Sequence, residues 1–574
     1  MMNFSSHRSP VYSTNGIVAT SQPLATAAGL EILARGGNAA DAAVAAGAAL
    51  NVTEPTSTGI GGDMFALYFS ADTKRVTALN GSGRAPSALT LDRLKTDGFA
   101  SSIPPFHPYT VTVPGACAGW FDLIEKHGSL SMSEILAPAI RLASEGFPVA
   151  PITSYFWGRG VQRQLASAPN GHELTIDGRS PNAGEIFRNP GLAKTFETIA
   201  RGGKDAYYQG EIAEAIVTVL KEAGGCMQMD DLASHTSTWE EPISVDYRGY
   251  RVYECPPNGQ GIAALIALNI LERFDLSSLE ALSVEKMHLM IEAMRLAFAD
   301  TSWYVSDPKF SNIPINELLS KDYAAERRKL INTQSAVINI ERGVPVSSSD
   351  TVYLSVADKF GNACSFINSN YMGFGTGIVP KGWGFTLQNR GHNFSLDPNH
   401  PNCLAPRKRP YHTIIPAMVT KLTAKSAMNA KNQKNLSGTS IKLSASLSVL
   451  SGSQNDVDES LYASYGVMGG FMQPQGHVQV LSALVDDGLN PQAALDRPRF
   501  CIDVDESGGR VAIEEGMPDA TFAGLKDMGH PVYSVSGYER ALFGRGQVIL
   551  RNAETGVLCA GSDPRADGCA GTLA

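Results

Sequence analysis

The run Ser347-Ser348-Ser349-Asp350-Thr351-Val352-Tyr353-Leu354-Ser355-Val356 constrains this chain more than any other stretch. A polar Ser/Asp loop stops at a threonine, and that threonine opens an apolar, β-branched strand. Asp358-Lys359-Phe360-Gly361 then supplies a turn, and Asn362 to Ile367 returns as a second strand. The fold must therefore accommodate a hairpin that begins at Thr351. A threonine at a loop-to-strand junction can attack the carbonyl just before it and split its own chain. The new terminus carries a nucleophile and a base on one residue, because an α-amine with a pKa of about 7.7–8.0 can take the hydroxyl proton near neutrality. Further along, Gly466-Val467-Met468-Gly469-Gly470 is a backbone-rich turn suited to holding an oxyanion. Taken alone, the Asp350-Thr351 pair equally suits an ordinary strand entering a sheet, so the rest of the chain decides.

At 574 residues the chain is long enough for several domains, although large enzymes often build this much around one core. Its 43% hydrophobic and 18% charged residues describe a globular protein, not a disordered one. A net charge of −9 argues against a nucleic-acid partner. The basic triplets Arg327-Arg328-Lys329 and Arg407-Lys408-Arg409 are too short to make a basic stripe. The N-terminal residues have no apolar core of a secretory signal, and no apolar run approaches the roughly 20 residues that span a membrane. Eight scattered cysteines without a C-x-x-C pair give neither a disulfide framework nor zinc-site spacing, so the expected location is the reducing cytoplasm.

Helix and strand signals alternate at the start. Leu24 to Arg35 reads as a helix stopped by Gly36-Gly37, and Asn38 caps a second, alanine-rich helix over Ala39 to Leu50 whose small side chains suit close packing. Met64 to Phe69 and Val76 to Asn80 read as strands joined by Ala71-Asp72-Thr73-Lys74. Ile212 to Ala223, Gly261 to Phe274 and Val284 to Trp303 carry helical periodicity. Strand signals return from Thr351, with Thr413 to Thr420 and Leu461 to Val467 as two more strands. Between those two, residues 423–460 are rich in Ser, Asn, Lys and Gln and read as a flexible surface insertion without chemistry.

Several motifs fail on inspection. Gly59-Ile60-Gly61-Gly62-Asp63 lacks the dinucleotide fingerprint and a phosphate-loop lysine. His172-Glu173 lacks a second histidine at zincin spacing, and no G-x-S-x-G elbow occurs. His392, His400 and His412 cluster in sequence but with little carboxylate support, so neither a metal nor a cofactor is expected.

In order along the chain, Gly36 to Ala45, Glu54-Pro55 with Gly59 to Asp63, Asp246 to Tyr250, Phe374 to Ile378, Lys408 to Pro410 and Gly561 to Arg565 resemble the γ-glutamyltransferase (γ-glutamyl transpeptidase) family of N-terminal-nucleophile hydrolases. The resemblance covers nearly the whole chain. It implies an α+β fold, a four-layer αββα sandwich formed by two fragments of one precursor. Residues 1–350 would form the large fragment and 351–574 the small one, the cut falling between Asp350 and Thr351. It implies Thr351 as nucleophile, Ser369 in place of a family threonine that orients it, and Gly469 and Gly470 as oxyanion donors. The partner is then a small-molecule amide, the default being a γ-glutamyl amide of the glutathione type, with the acyl group passed to water or an amine. The processed unit is compatible with pairing as a homodimer. A protein of another class, an uncleaved relative retained for binding or scaffolding, is the alternative.

Departures from the family pattern concern the substrate pocket. The aligned positions hold Ser82, Tyr371, Arg390, Asn393, His412 and Thr413, with the family arginine displaced to Arg84. Where the family places an acid for the substrate ammonium stands Asn393, and a cation, Arg390, replaces a neutral amide. Losing a carboxylate and gaining a guanidinium favours an acidic acyl group without an α-ammonium, such as glutaryl amides or oxamate. Arg84 and Arg390 are expected to share the substrate carboxylate. Only Pro401 to Pro406 separates His400 from Arg407, too few residues for the family's lid loop. The chain thus resembles the lidless branch, which includes glutathione-hydrolase-like proteins, cephalosporin acylases and oxamate amidohydrolase.

Overall fold

Every residue of strands Val352–Asp358 and Ala363–Ser369 is buried, because this hairpin is covered on both faces. Val352, Leu354 and Val356 point to a helical layer, while Tyr353 and Ala357 point to a second sheet. A strand buried on both sides need not alternate apolar with polar, which explains its nearly continuous apolar run. The computed structural model describes residues 8–337, 351–422, 459–503 and 509–573. Asp350 and most of the expected insertion, residues 423–458, lie outside them.

Two seven-stranded sheets form the centre. The first runs in the order Cys569–Thr572, Gly16–Thr20, Val352–Asp358, Ala363–Ser369, Asp63–Ser70, Arg75–Gly81, Thr238–Glu240. The second runs Val11–Ser13, Leu558–Ser562, Arg545–Arg551, Glu459–Met468, Ala417–Leu422, Tyr250–Glu254, Ile243–Tyr247. All neighbours in both sheets are antiparallel. Their facing sides share one apolar layer, in which Phe65, Leu67, Tyr353 and Ile367 of the first meet Tyr253, Met418, Leu461 and Ile549 of the second. Helices Pro23–Ala34, Ala39–Thr53 and Ala116–His127 cover the outer face of the first sheet. Helices Gly261–Leu271, Val284–Tyr304 and Met472–Val485 cover the second. The layer order is therefore αββα. Each sheet takes strands from both sides of Thr351, so neither part is a separate domain.

Local chemistry accounts for the elements nearest the site. Asn38 and Asp41 form a reciprocal capping box that starts the alanine-rich helix, all fifteen residues of which are buried. Its Gly47 lies so close to the Phe366 ring that a Cβ would approach within 2.9 Å, which locks helix to hairpin. Gly62 does the same beneath the end of the hairpin, where a Cβ would come within 2.2 Å of the Ser369 carbonyl oxygen.

Two expectations need correction. Thr413 to Pro416 do not belong to the strand, which begins at Ala417; Thr413 is engaged instead by Arg390 and Gln260 side chains. Glu459 and Ser460, expected in the insertion, open strand Glu459–Met468, and the Glu459 carboxylate takes hydrogen bonds from Arg251 at 2.7 Å and Tyr253 at 2.6 Å.

Candidate active site

Strand pairing sets the first distance. Val352 lies opposite Asn368, so Thr351 and Ser369 sit side by side at the open end of the hairpin. Their hydroxyl oxygens are 3.1 Å apart and both residues are buried. Ser369 Oγ also accepts from the Tyr371 N–H at 2.9 Å and from Arg390 Nη2 at 3.2 Å. The Tyr371 and Arg390 donors hold Ser369 Oγ in place beside Thr351 Oγ1.

Arg390 forms the floor. It is fully buried, donates from Nη1 to Thr413 Oγ1 at 2.6 Å, and stacks its guanidinium 4.3 Å from the Tyr371 ring centroid. Its Nε has no hydrogen-bond partner. Burial pushes its pKa down to about 10, against the pull of Asp63 and Tyr371, so it remains a cation at neutral pH. Tyr371 adopts φ +81°, an uncommon value for a bulky residue, and its hydroxyl donates to Asn393 Oδ1 at 2.5 Å. Asn393 Nδ2 donates in turn to the Tyr411 carbonyl at 3.1 Å. This asparagine therefore locks Tyr371 in place.

His412 is buried and hydrogen-bonded through Nε2 to Asp63 Oδ2 at 3.0 Å. Burial first, and then the Arg390 charge, pull its pKa down to about 3, so the ring is neutral and donates its Nε2–H. Asp63 Oδ1 accepts from the N–H groups of Gly83 at 2.9 Å and Gly115 at 3.1 Å and from Gln388 Nε2 at 2.9 Å. Burial raises its pKa, but these donors and the Arg390 charge outweigh that and hold it below the ordinary carboxylate value. Asp63 is thus buried with three donors on Oδ1 and one on Oδ2.

The turn expected to hold the oxyanion lies where strand Glu459–Met468 passes into helix Met472–Val485. Gly469 and Gly470 take φ of +131° and +60°, values that favour glycine. Among the described residues neither N–H donates to a protein acceptor, as a pair awaiting an oxyanion requires. Gln260 joins this turn to the floor: its Nε2 donates to the Thr413 carbonyl at 2.7 Å and the Gly470 carbonyl at 2.8 Å. Gln260 and Asp63 are site residues to which the sequence reading gave no role. The available signals were the Pro256-Pro257-Asn258-Gly259 turn just before Gln260 and the glycines just before Asp63.

Not every expected residue joins the group. Arg84 Nη1 donates to the Thr236 carbonyl at 3.2 Å, a carbonyl that Arg409 also reaches, and no hydrogen bond links it to Arg390 or Ser369. Ser82 is spent on Asn80 Oδ1 at 2.7 Å. His392 and His400 go separate ways, the first to the Ile103 carbonyl and the second to the Asn402 N–H. The short Pro401–Pro406 connection is tied down by Lys408 Nζ, which donates to the carbonyls of Pro401 and Cys403. Elsewhere, His288, Glu292 and His530 are a buried trio of metal-competent type. Their bonds to each other, to Asn332 and Val337, and to Arg295 bind residues 332–337 to helix Val284–Tyr304.

The gamma-glutamyltranspeptidase family model matches residues 25–430 and 448–573. The glutathione hydrolase-like YwrD proenzyme of Bacillus subtilis strain 168 is 37% identical over 98% of this chain and 99% of its own. The glutathione hydrolase proenzyme of the same organism is 31% identical over 90% of this chain and 85% of its own. Among solved structures, the cephalosporin acylase from Bacillus halodurans superposes with a TM-score of 0.87 at 44% identity, covering 100% of this chain and 98% of that one.

Proposed function

This chain belongs to the γ-glutamyltranspeptidase family of N-terminal-nucleophile hydrolases, and from that premise we propose that it is a self-cleaving amidohydrolase acting on amides of acidic acyl groups. Maturation starts when Thr351 Oγ1 attacks the Asp350 carbonyl. The C–N bond breaks, an ester forms on the threonine oxygen, and the released nitrogen takes the proton. Water then opens the ester, leaving a carboxylate on Asp350 and a free α-amine on Thr351. In turnover that amine accepts the Thr351 hydroxyl proton as Oγ1 attacks the substrate amide. The N–H groups of Gly469 and Gly470 hold the developing oxyanion, and each such donor is worth about 2.7–4 kcal/mol in a well-studied protease. The amine then returns its proton to the leaving nitrogen, and water or an amine releases the acyl group.

Family weight makes γ-glutamyl amides the default substrate, which is also what the names of the Bacillus subtilis relatives suggest. One observation moves the reading toward acyl groups without an α-ammonium: among the described residues the buried Arg390 cation has no carboxylate bonded to it, while Asp63 already accepts from four donors. The floor can bind a second carboxylate but offers little to an ammonium. A charge-assisted bond of this type contributes about 1.5–3 kcal/mol, or roughly 10- to 150-fold. Comparing kcat/KM for γ-glutamyl and glutaryl versions of one anilide tests this, with the glutaryl compound expected to be preferred and Arg390→Ala to erase most of its turnover. A hundredfold advantage for the γ-glutamyl compound overturns the reading of the floor.

A further inference from the structure

A cavity of about 390 Å³ is lined by Gly469 and by Met372 and Gly373 of the loop after Tyr371, and Arg390 is not among its lining residues. Its walls include the aromatic rings of Phe106, Phe156, Phe374, Phe471 and Tyr533 beside charged side chains, so a flat ring and a charged group could both be accommodated there. The acyl carboxylate belongs on the Arg390 side of the Gly469 turn, which leaves this cavity for the amine half of the amide. Resting on the proposed amidohydrolase reading, we propose that the cavity is a leaving-group subsite for an aromatic or heterocyclic amine that bears a carboxylate, and that Arg163 reads that carboxylate.

Helix Pro151–Gly160 passes into a π-turn over Val161–Leu165, closed by the Ala166 N–H to the Val161 carbonyl at 2.9 Å. Such turns add a residue to the helix and redirect neighbouring side chains, and they recur at functional sites. Here the turn sends two consecutive residues to the cavity. Gln164 is buried and donates to the carbonyls of Met372 at 2.7 Å and Gly375 at 2.6 Å, which ties it to the loop that follows Tyr371. Arg163 is exposed at the cavity wall and, among the described residues, has no carboxylate partner.

The other charges in the lining are already matched. Arg159 pairs with Glu539 at 2.8 Å. Asp503 accepts from the Tyr533 hydroxyl at 3.0 Å, and Arg510 lies 4.3 Å from that ring's centroid. Among the described lining residues Arg163 is thus the cation without a carboxylate partner, and its planar fork suits a carboxylate held against an aromatic wall. Because it is exposed, water and salt screen it, and a preference of a few fold is expected rather than an all-or-none requirement.

The test compares the 4-nitroanilide and the 3-carboxy-4-nitroanilide of whichever acyl group the processed enzyme hydrolyses. Wild type should favour the carboxylated anilide about 3- to 5-fold in kcat/KM, and the preference should shrink as salt is raised. Arg163→Gln should remove the preference and Arg163→Glu reverse it, each read as the ratio of kcat/KM for the two anilides. A ratio that is the same in wild type and both variants overturns the inference while the amidohydrolase reading stands. Failure of wild type to hydrolyse either anilide with any acidic acyl group overturns both.

Discussion

Thr351 Oγ1 and Ser369 Oγ, 3.1 Å apart, join the first residue of a buried hairpin to its last, eighteen positions on. Backbone pairing alone brings them together. The Tyr371 N–H and an Arg390 N–H then hold the Ser369 hydroxyl at that position.

Replacing Ser369 with Ala strands the Tyr371 N–H and an Arg390 N–H, and removes the hydroxyl bonded to Thr351. Leaving buried partners unsatisfied costs about 1–3 kcal/mol. We expect kcat to fall roughly 10- to 100-fold, with Ser369→Thr restoring most of it. Steady-state kinetics on the processed enzyme decide this, and an unchanged kcat in Ser369→Ala removes the orienting role.

Gly469→Ala should lower kcat by about 10²–10³ with a small effect on KM. The residue sits at φ +131°, and a Cβ there would come within 3.2 Å of Gly544 Cα. An alanine variant with wild-type kcat would place the oxyanion elsewhere.

Much of this was legible in the chain. The capped alanine helix, the Thr351 hairpin and the oxyanion glycines each carry a local signal: a cap, a turn, a pair of residues tolerant of positive φ. Arg84 shows where such reading stops. The family resemblance assigns it to the substrate carboxylate, and no local pattern encodes the bond that its guanidinium makes to the Thr236 carbonyl. Gln260 was missed for the converse reason, since its role is to bridge two carbonyls 153 and 210 residues away, which no local pattern encodes.

Gln260→Ala would orphan the Thr413 carbonyl, leave the Gly470 carbonyl only the Gln473 N–H, and loosen both segments at once. A thermal melt should show a loss of about 2–4 kcal/mol, and kcat and KM should both worsen. A variant that is less stable but kinetically normal would limit Gln260 to a structural part.

Acid should weaken the folded state through His412. This group is held neutral, its folded pKa of about 3 lying below the ordinary 6.5. Between those values the unfolded chain binds the extra proton, so this contribution to stability is present above pH 6.5 and falls as pH drops toward 3. The loss from pH 7 to pH 5 is about 2 kcal/mol from this group. His412→Gln keeps a donor toward Asp63 without titrating, and its melting temperature should drop less over that range than that of wild type. Equal slopes would mean that His412 does not titrate there.

The central claim is that Thr351 cuts the chain before it becomes a nucleophile. Intact-mass measurement and N-terminal sequencing of the purified protein, alongside Thr351→Ala, test it most directly. The account predicts two fragments, residues 1–350 and 351–574, the smaller beginning at Thr351, and a single uncut chain for the variant. One intact chain in both samples after prolonged incubation would contradict it.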